Sequence, residues 1–180
     1  MNRTHFLKKA AGLGLAPVAG WPGSTEEDEA ARIRQELAEA WRQSEVMTLK
    51  IIEQMPPEAF GFRYTPGAMS FGEQFRHCVI FTSNQLAGRL GVTSPLKGRK
   101  LPVELPKADV LAEVRGLYAF VQETIRTLPT EKLFAKTDFP TPIPNWRLLY
   151  AMENHLIHHR GQAVVYLRLK GITPEGYFGW

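Results

Sequence analysis

The sequence contains a single cysteine, Cys78, and this scarcity excludes two kinds of site. One thiol cannot form a disulfide within the chain, and it cannot build a zinc site from several cysteines. Cys78 also lies in the apolar segment 78–81, which favours a buried, unreactive thiol over a nucleophile. Any metal site in this protein must therefore use histidine and carboxylate ligands.

Long apolar runs and a strong excess of one charge are also missing. No stretch approaches the roughly 20 apolar residues of a membrane-spanning helix, so we expect no membrane span. The formal net charge is +4, but residues 1–23 hold three of the 22 basic residues and no acid, which leaves 19 basic against 18 acidic residues afterwards. Because basic and acidic residues are nearly equal in number after residue 23, we expect no basic stripe that could contact phosphates. Nucleic acid is therefore not an expected partner.

Residues 1–23 differ in character from the rest of the chain. A basic start is followed by an apolar stretch and then by Gly and Pro, which is the layout of an export signal. Segment 3–8 resembles the twin-arginine motif, with Thr4 in place of the second arginine. We therefore predict export to the periplasm, and the alternative is a cytoplasmic protein with a disordered N-terminus. His5 is set aside with this segment, and the folded domain is expected over residues 24–180.

Four segments carry apolar residues at helical spacing and are predicted to be helices. They cover approximately residues 26–55, 70–89, 108–128 and 145–170. Ser70 and Glu73 form a predicted capping box at the start of the second helix, and Gly171 is the expected cap at the end of the fourth. Proline and glycine are frequent in the connections, where we expect long irregular loops and no strand. The pattern predicts an all-α fold, a four-helix bundle with long connecting loops.

The histidines are concentrated in the second and fourth predicted helices. Residues four apart share one face of a helix, so His155 and His159 can both face one ion. On a helical wheel His159 falls on the apolar face and His155 at its edge, whereas His158 falls beside polar residues. Each unsatisfied buried polar group costs about 1–3 kcal/mol. A buried pair with a third candidate, His77, on another helix therefore favours a metal site over hydrogen-bonded core histidines.

Two further polar residues are candidates for assisting such a site. Glu73 lies one turn before His77 and is a candidate base or hydrogen-bond acceptor for a bound water, although the pattern favours a purely capping glutamate. Gln162 is expected to stack above the histidine pair together with Tyr166. Either side chain could orient an imidazole or a bound water.

The fourth-helix segment resembles a known family signature. Residues 154–162 read Asn-His-Leu-Ile-His-His-Arg-Gly-Gln and are followed by Tyr-Leu-Arg at 166–168 and Gly-Ile-Thr-Pro at 171–174. This pattern resembles the signature of the DinB and YfiT-like superfamily of bacterial four-helix-bundle metalloproteins. The segment 69–73, Met-Ser-Phe-Gly-Glu, leads to His77 and resembles the family's second-helix motif. The resemblance implies the same bundle fold and a metal ion held by three histidines, His77, His155 and His159.

Three imidazoles with open positions are typical of a catalytic rather than a structural metal site. Zinc is the expected divalent ion, with nickel, iron and manganese as alternatives, because histidine ligation discriminates weakly among them. Such an ion suits hydrolysis or thiol transfer, so we expect a metal-dependent hydrolase or a thiol S-transferase with an unknown small-molecule substrate. Some relatives use low-molecular-weight thiols, which makes such a thiol a candidate partner.

Two other interpretations stay open at this point. One is a non-catalytic stress-response or interaction module whose metal is structural. The other is that the histidines are core residues that bind no metal. The sequence leaves the oligomeric state open, and a homodimer is compatible with a bundle of this size.

Overall fold

The computed structural model describes residues 24–177, so the predicted export segment lies outside the described residues. Four long helices account for most of this range, with two short helices and two short strands between them. The elements are α1 (Glu26–Gln54), a 3₁₀ helix (Pro57–Ala59), α2 (Phe71–Leu90), α3 (Lys107–Thr127), α4 (Thr130–Phe134), β1 (Lys136–Asp138), β2 (Pro142–Pro144) and α5 (Asn145–Leu169). None of the helices in residues 24–177 is long and apolar enough to cross a lipid bilayer.

The four long helices form a bundle. Helix α1 packs against α3 and α5, and α2 packs against the same two helices. The largest fully buried side chains come from all four helices: Leu37, Trp41, Phe71, Phe75, Tyr118 and Tyr166. Burying one such large apolar side chain stabilises the fold by about 1.5–3 kcal/mol. The predicted all-α four-helix bundle is confirmed.

The start of α2 carries the predicted capping box. The Ser70 hydroxyl accepts a hydrogen bond from the Glu73 amide at 3.2 Å, and the Glu73 carboxylate accepts one from the Ser70 amide at 2.6 Å. Two amides that lack partners within the helix are satisfied in this way. At the other end, Gly91 caps α2 with φ 69°, a left-handed conformation that favours glycine. These caps fix the limits of the helix that carries His77.

The connection between α1 and α2 folds back onto the start of α2. Its Phe60 is buried, and Phe60 O accepts a hydrogen bond from the Gly72 amide at 3.0 Å. A Cβ atom at Gly72 would lie 2.8 Å from the Phe60 ring, so only glycine permits this approach. Phe62 O accepts a second hydrogen bond, from the Phe71 amide at 3.0 Å. The residues just before α2 are therefore held against the bundle.

The connection between α3 and α5 differs from the prediction of an irregular loop without strands. It contains α4, whose Leu133 is fully buried, and an antiparallel pairing of β1 with β2 centred on Thr137 and Ile143. Strands of three residues are too short to show an alternating pattern, and the prolines at both ends of β2 obscure it further. The Asn145 amide then donates to Ala135 O at 2.9 Å, which fixes the start of α5.

Removing the Ser70 hydroxyl should weaken the start of α2. We expect Ser70→Ala to lower the free energy of unfolding by about 1 kcal/mol, the usual cost of losing such a cap. Urea denaturation followed by circular dichroism would measure the change. Ser70→Thr keeps an acceptor oxygen and serves as the control. An alanine variant as stable as the wild type would contradict this account of the helix start.

Candidate metal site

Helices α2 and α5 bring three histidines to one point. The Nε2 atom of His155 lies 3.2 Å from the Nε2 atom of His77 and 3.2 Å from that of His159. The ligand atoms of all three residues lie within 4.8 Å of one another. His159 is buried, and His77 and His155 are partly buried. The structure thus brings His155 and His159, which the helical pattern selected, together with His77, which the family resemblance added, and the cluster could hold a metal ion.

The spacing of these nitrogen atoms fits a shared metal ion. Two imidazole nitrogens on one tetrahedral zinc ion, each at about 2.0–2.1 Å, are about 3.3–3.4 Å apart. Two of the three separations, from His155 to His77 and to His159, are 3.2 Å and close to this value, and all the ligand atoms lie within 4.8 Å of one another. Mutual hydrogen bonding explains the cluster less well, because the Nε2 atom of His155 carries at most one hydrogen and has two nitrogen neighbours. A cation accepts lone pairs from all three rings at once.

The histidines are held in the neutral form that a metal ion requires. Burial, together with the neighbouring imidazoles, lowers the pKa of both His155 and His159 to about 4. Burial, together with the charge of Arg76, also lowers the pKa of His77. Near neutral pH, no proton has to leave His155 or His159 before its lone pair can bind a cation.

Gln74 contacts the cluster and was not identified from the sequence. Its Oε1 atom lies 2.5 Å from the Nδ1 atom of His159, and the residue is buried. The amide oxygen can only accept, so Nδ1 carries the hydrogen and Nε2 keeps a lone pair. A signal was present in the sequence, because Gln74 lies on the same helical face as Phe71 and Cys78. A lone amide on an apolar face suggests a buried partner.

The two residues predicted to assist the site have other partners. The Glu73 carboxylate accepts from the Ser70 amide and pairs with Arg63 at 2.5 Å. Burial acts to raise the pKa of Glu73, but these hydrogen bonds outweigh it and hold the pKa below its usual value. The Gln162 amide lies 2.6 Å from the Nε2 atom of His158, an exposed residue outside the cluster. The assisting roles of Glu73 and Gln162 stay predictions.

Arg160 follows His159 directly but faces a different helix. Its guanidinium donates to the hydroxyl groups of Ser44 and Thr48 on α1, each at 3.2 Å. Both hydroxyl groups also hydrogen-bond to the Tyr118 hydroxyl of α3, at 3.2 and 2.8 Å. Arg160 is 7% exposed, and this buried network links α5 to α1 and α3. Residues 154–162 therefore contribute to two faces of α5. One face carries the histidines with metal-binding geometry, and the other carries Arg160, which links α5 to its neighbours.

Comparison with known proteins agrees with the fold. The sequence pattern of the DinB superfamily matches residues 40–163, a range that includes all three clustered histidines. A DinB-like protein from Bacillus cereus ATCC 10987 has a similar structure, with a TM-score of 0.66 and 23% identity over 80% of this chain and 97% of that one. The DinB-like protein YjoA from Bacillus subtilis has a TM-score of 0.63 and 20% identity over 79% and 96% of the two chains. No curated protein matches the chain.

Replacing any one histidine of the cluster should remove the metal. We expect His77→Ala, His155→Ala and His159→Ala proteins to lose stoichiometric metal, because two imidazoles cannot replace the chelation provided by three. Elemental analysis of the purified variants would measure this. His158→Ala is the matched control and should keep its metal, since His158 is adjacent in sequence but outside the cluster. Full metal content in the His159→Ala protein would direct attention to other ligands.

The lowered pKa values predict how acid affects the metal-free protein. An unfolded histidine binds a proton below its ordinary pKa of 6.5, whereas folded His155 and His159, whose pKa values are lowered, do so only at about pH 4. Between these values the unfolded state binds more protons, so the free energy of unfolding should fall as the pH decreases. Urea denaturation with a chelator, at about pH 7 and about pH 5, would show the fall.

A double variant separates this effect from the titration of other groups. His155→Asn/His159→Asn should show a smaller loss of stability over the same pH interval, because both linked histidines are gone. The single variant His158→Asn should retain the wild-type loss. Identical pH dependence in the double variant and the wild type would refute this assignment.

Proposed function

The chain belongs to the DinB superfamily, and from this premise we propose that it is a metal-dependent enzyme, either a hydrolase or a thiol S-transferase. The proposed ligands are His77, His155 and His159. The observation that carries the proposal is the composition of the cluster: within residues 24–177 it contains three histidines and no fourth histidine, cysteine or carboxylate. Structural zinc sites are closed by four protein ligands, whereas catalytic sites use three and leave a position for substrate or water.

The proposed ion is zinc, and nickel, iron or manganese are the alternatives. Three neutral imidazoles suit all four ions, so availability in the cell would decide which one is bound. When bound, such an ion supplies a Lewis acid that polarises a carbonyl group or lowers the pKa of water or of a thiol. Elemental analysis of protein purified without added metal would identify the ion.

The surroundings of the cluster suggest how a substrate would approach. The Phe81 ring lies 4.4 Å from the ring of His155 and 5.7 Å from that of His77, so one side is covered by an apolar wall. On another side the exposed His158 has its ring 5.0 Å from that of His159. In this proposal the substrate enters on the side of His158 and Gln162, whose polar groups are available to orient it.

A transferase of this kind needs its thiol from a second substrate. Cys78 is the single cysteine and is fully buried, and burial raises the pKa of its thiol to about 12. A thiol with this pKa is not ionised near neutral pH, so Cys78 does not supply a nucleophilic thiolate. A low-molecular-weight thiol is therefore the proposed partner in the transferase reaction.

The second candidate function is a metal-binding stress-response or interaction module without catalysis. The contacts of Glu73 favour this non-catalytic module, because Arg63 and the Ser70 amide already bind the carboxylate that was a candidate base. Zinc-loaded protein should be assayed with ester and amide substrates, and separately with an electrophile and a thiol. Turnover that is lost in His159→Ala supports the enzyme; stoichiometric metal without turnover in either assay supports the module.

Two substitutions test the predicted assisting residues once turnover is found. Glu73→Gln keeps the capping hydrogen bond but removes the carboxylate, and a lost general base typically lowers kcat by about 10²–10⁴-fold. Gln162→Leu removes the amide beside His158 and should raise KM if that amide orients substrate. Steady-state kinetics at matched metal content would measure both effects. An unchanged kcat in Glu73→Gln would leave Glu73 as a helix cap alone.

A further inference from the structure

A chain of hydrogen bonds connects the histidine cluster with the residue that precedes the α2 cap. The Oε1 atom of Gln74 lies 2.5 Å from the Nδ1 atom of His159, and its Nε2 atom lies 3.4 Å from the Tyr166 hydroxyl oxygen. The Tyr166 hydroxyl group donates to Met69 O at 2.5 Å. Gln74 is 2% exposed and Tyr166 is 1% exposed, so bulk water does not compete for these contacts.

The Met69 carbonyl oxygen, at the end of this series of hydrogen bonds, determines which atom donates in each of them. Met69 O is a carbonyl oxygen and can only accept, so the Tyr166 hydroxyl hydrogen points to it. The Tyr166 oxygen is then free to accept from the Gln74 NH₂ group, which turns the Gln74 carbonyl oxygen toward His159. His159 must therefore present its Nδ1–H to Gln74, and its Nε2 lone pair faces His155.

We propose that Gln74 is a positioning residue that fixes the tautomer and the ring rotation of His159, and that Tyr166 acts through Gln74 by fixing its amide. The inference rests on the proposed function, because its role is to prepare a metal ligand. Groups that bond to the second nitrogen of a ligating histidine typically contribute 10–100-fold to metal affinity. Gln74 thus has the role that the sequence pattern suggested for Gln162, whose amide bonds to His158 instead.

The other cluster histidine of α5, His155, supports this assignment by contrast. The Nδ1 atom of His155 is buried and meets no acceptor among the described side chains and backbone groups. Of the two cluster histidines on α5, His159 is the one whose Nδ1 atom bonds to a described side chain, that of Gln74. The Nε2 atom of His155 is 3.2 Å from the Nε2 atom of His159. Holding the His159 ring in one orientation therefore holds one end of the row formed by the Nε2 atoms of His159, His155 and His77.

Zinc and cobalt affinities, measured by competition with a chelator, test the proposal. Gln74→Leu should weaken binding by about 10–100-fold, and its cobalt absorption bands should shift as the ligand geometry relaxes. Gln74→Glu keeps an acceptor oxygen at the same position and should recover most of the affinity. Gln85→Leu removes another amide of α2, one that bonds to Arg89 and not to the cluster, and should bind metal as tightly as the wild type. Equal affinities of Gln74→Leu and the wild type would overturn the assignment.

A double-variant cycle tests whether Tyr166 acts through Gln74. Tyr166→Phe alone should weaken metal binding several-fold, because the Gln74 amide is then free to rotate. In the Gln74→Leu background the same change should have no further effect, since the group it positions is gone. Losses that multiply in the double variant would show that Tyr166 acts independently of Gln74.

Nuclear magnetic resonance of the metal-free protein separates this inference from the proposed function. Two-bond ¹H–¹⁵N spectra of labelled histidine should show His159 as the Nδ1–H tautomer in the wild type and as a mixture in Gln74→Leu and Tyr166→Phe. This result supports the positioning role even if metal binding fails, and a wild-type Nε2–H tautomer would overturn it. If Gln74→Leu does not fold, Tyr166→Phe gives the same readout.

Discussion

The site depends on the packing of α2 against α5. No single helix supplies the three histidines: α5 carries two of them and α2 the third. The apolar faces of both helices set their rotation about their axes, with Phe75 and Cys78 buried from α2 and Met152 and Leu156 from α5. Successive residues of a helix are 100° apart, so a shift of one position would turn His77 away from its partners. The core therefore determines the geometry of the cluster.

Helix α5 combines two buried polar faces. His159 faces α2 and the cluster, and Arg160 faces the hydroxyl groups of α1. The charged guanidinium has several acceptors, as a buried charge requires. The imidazoles of His77 and His155 lie against the Phe81 ring, and their lone pairs remain available for a cation. Of these two adjacent residues, Arg160 anchors α5 to α1 and His159 contributes to the metal-binding geometry.

Helical periodicity was sufficient to predict the bundle and to select His155 and His159 rather than His158. The i, i+4 rule describes relations within one helix, so His77 needed the family resemblance and the packing of α2 against α5. The partner of His159 could not be predicted, because Gln74 meets it across a helix interface that periodicity does not describe. The short pairing of β1 with β2 was not predicted, because three-residue strands with flanking prolines carry no alternating pattern. The capping role of Glu73 was anticipated, whereas its pairing with Arg63 depends on how the connection before α2 folds.

We propose that imidazoles from two helices share one metal ion. X-ray absorption spectroscopy at the zinc edge, on zinc-loaded protein, measures the ligands of that ion directly. We expect three imidazole nitrogens at about 2.0–2.1 Å together with one light, non-imidazole ligand and no sulfur. A first shell with a sulfur ligand, or with fewer than three imidazoles in the wild type, would contradict it.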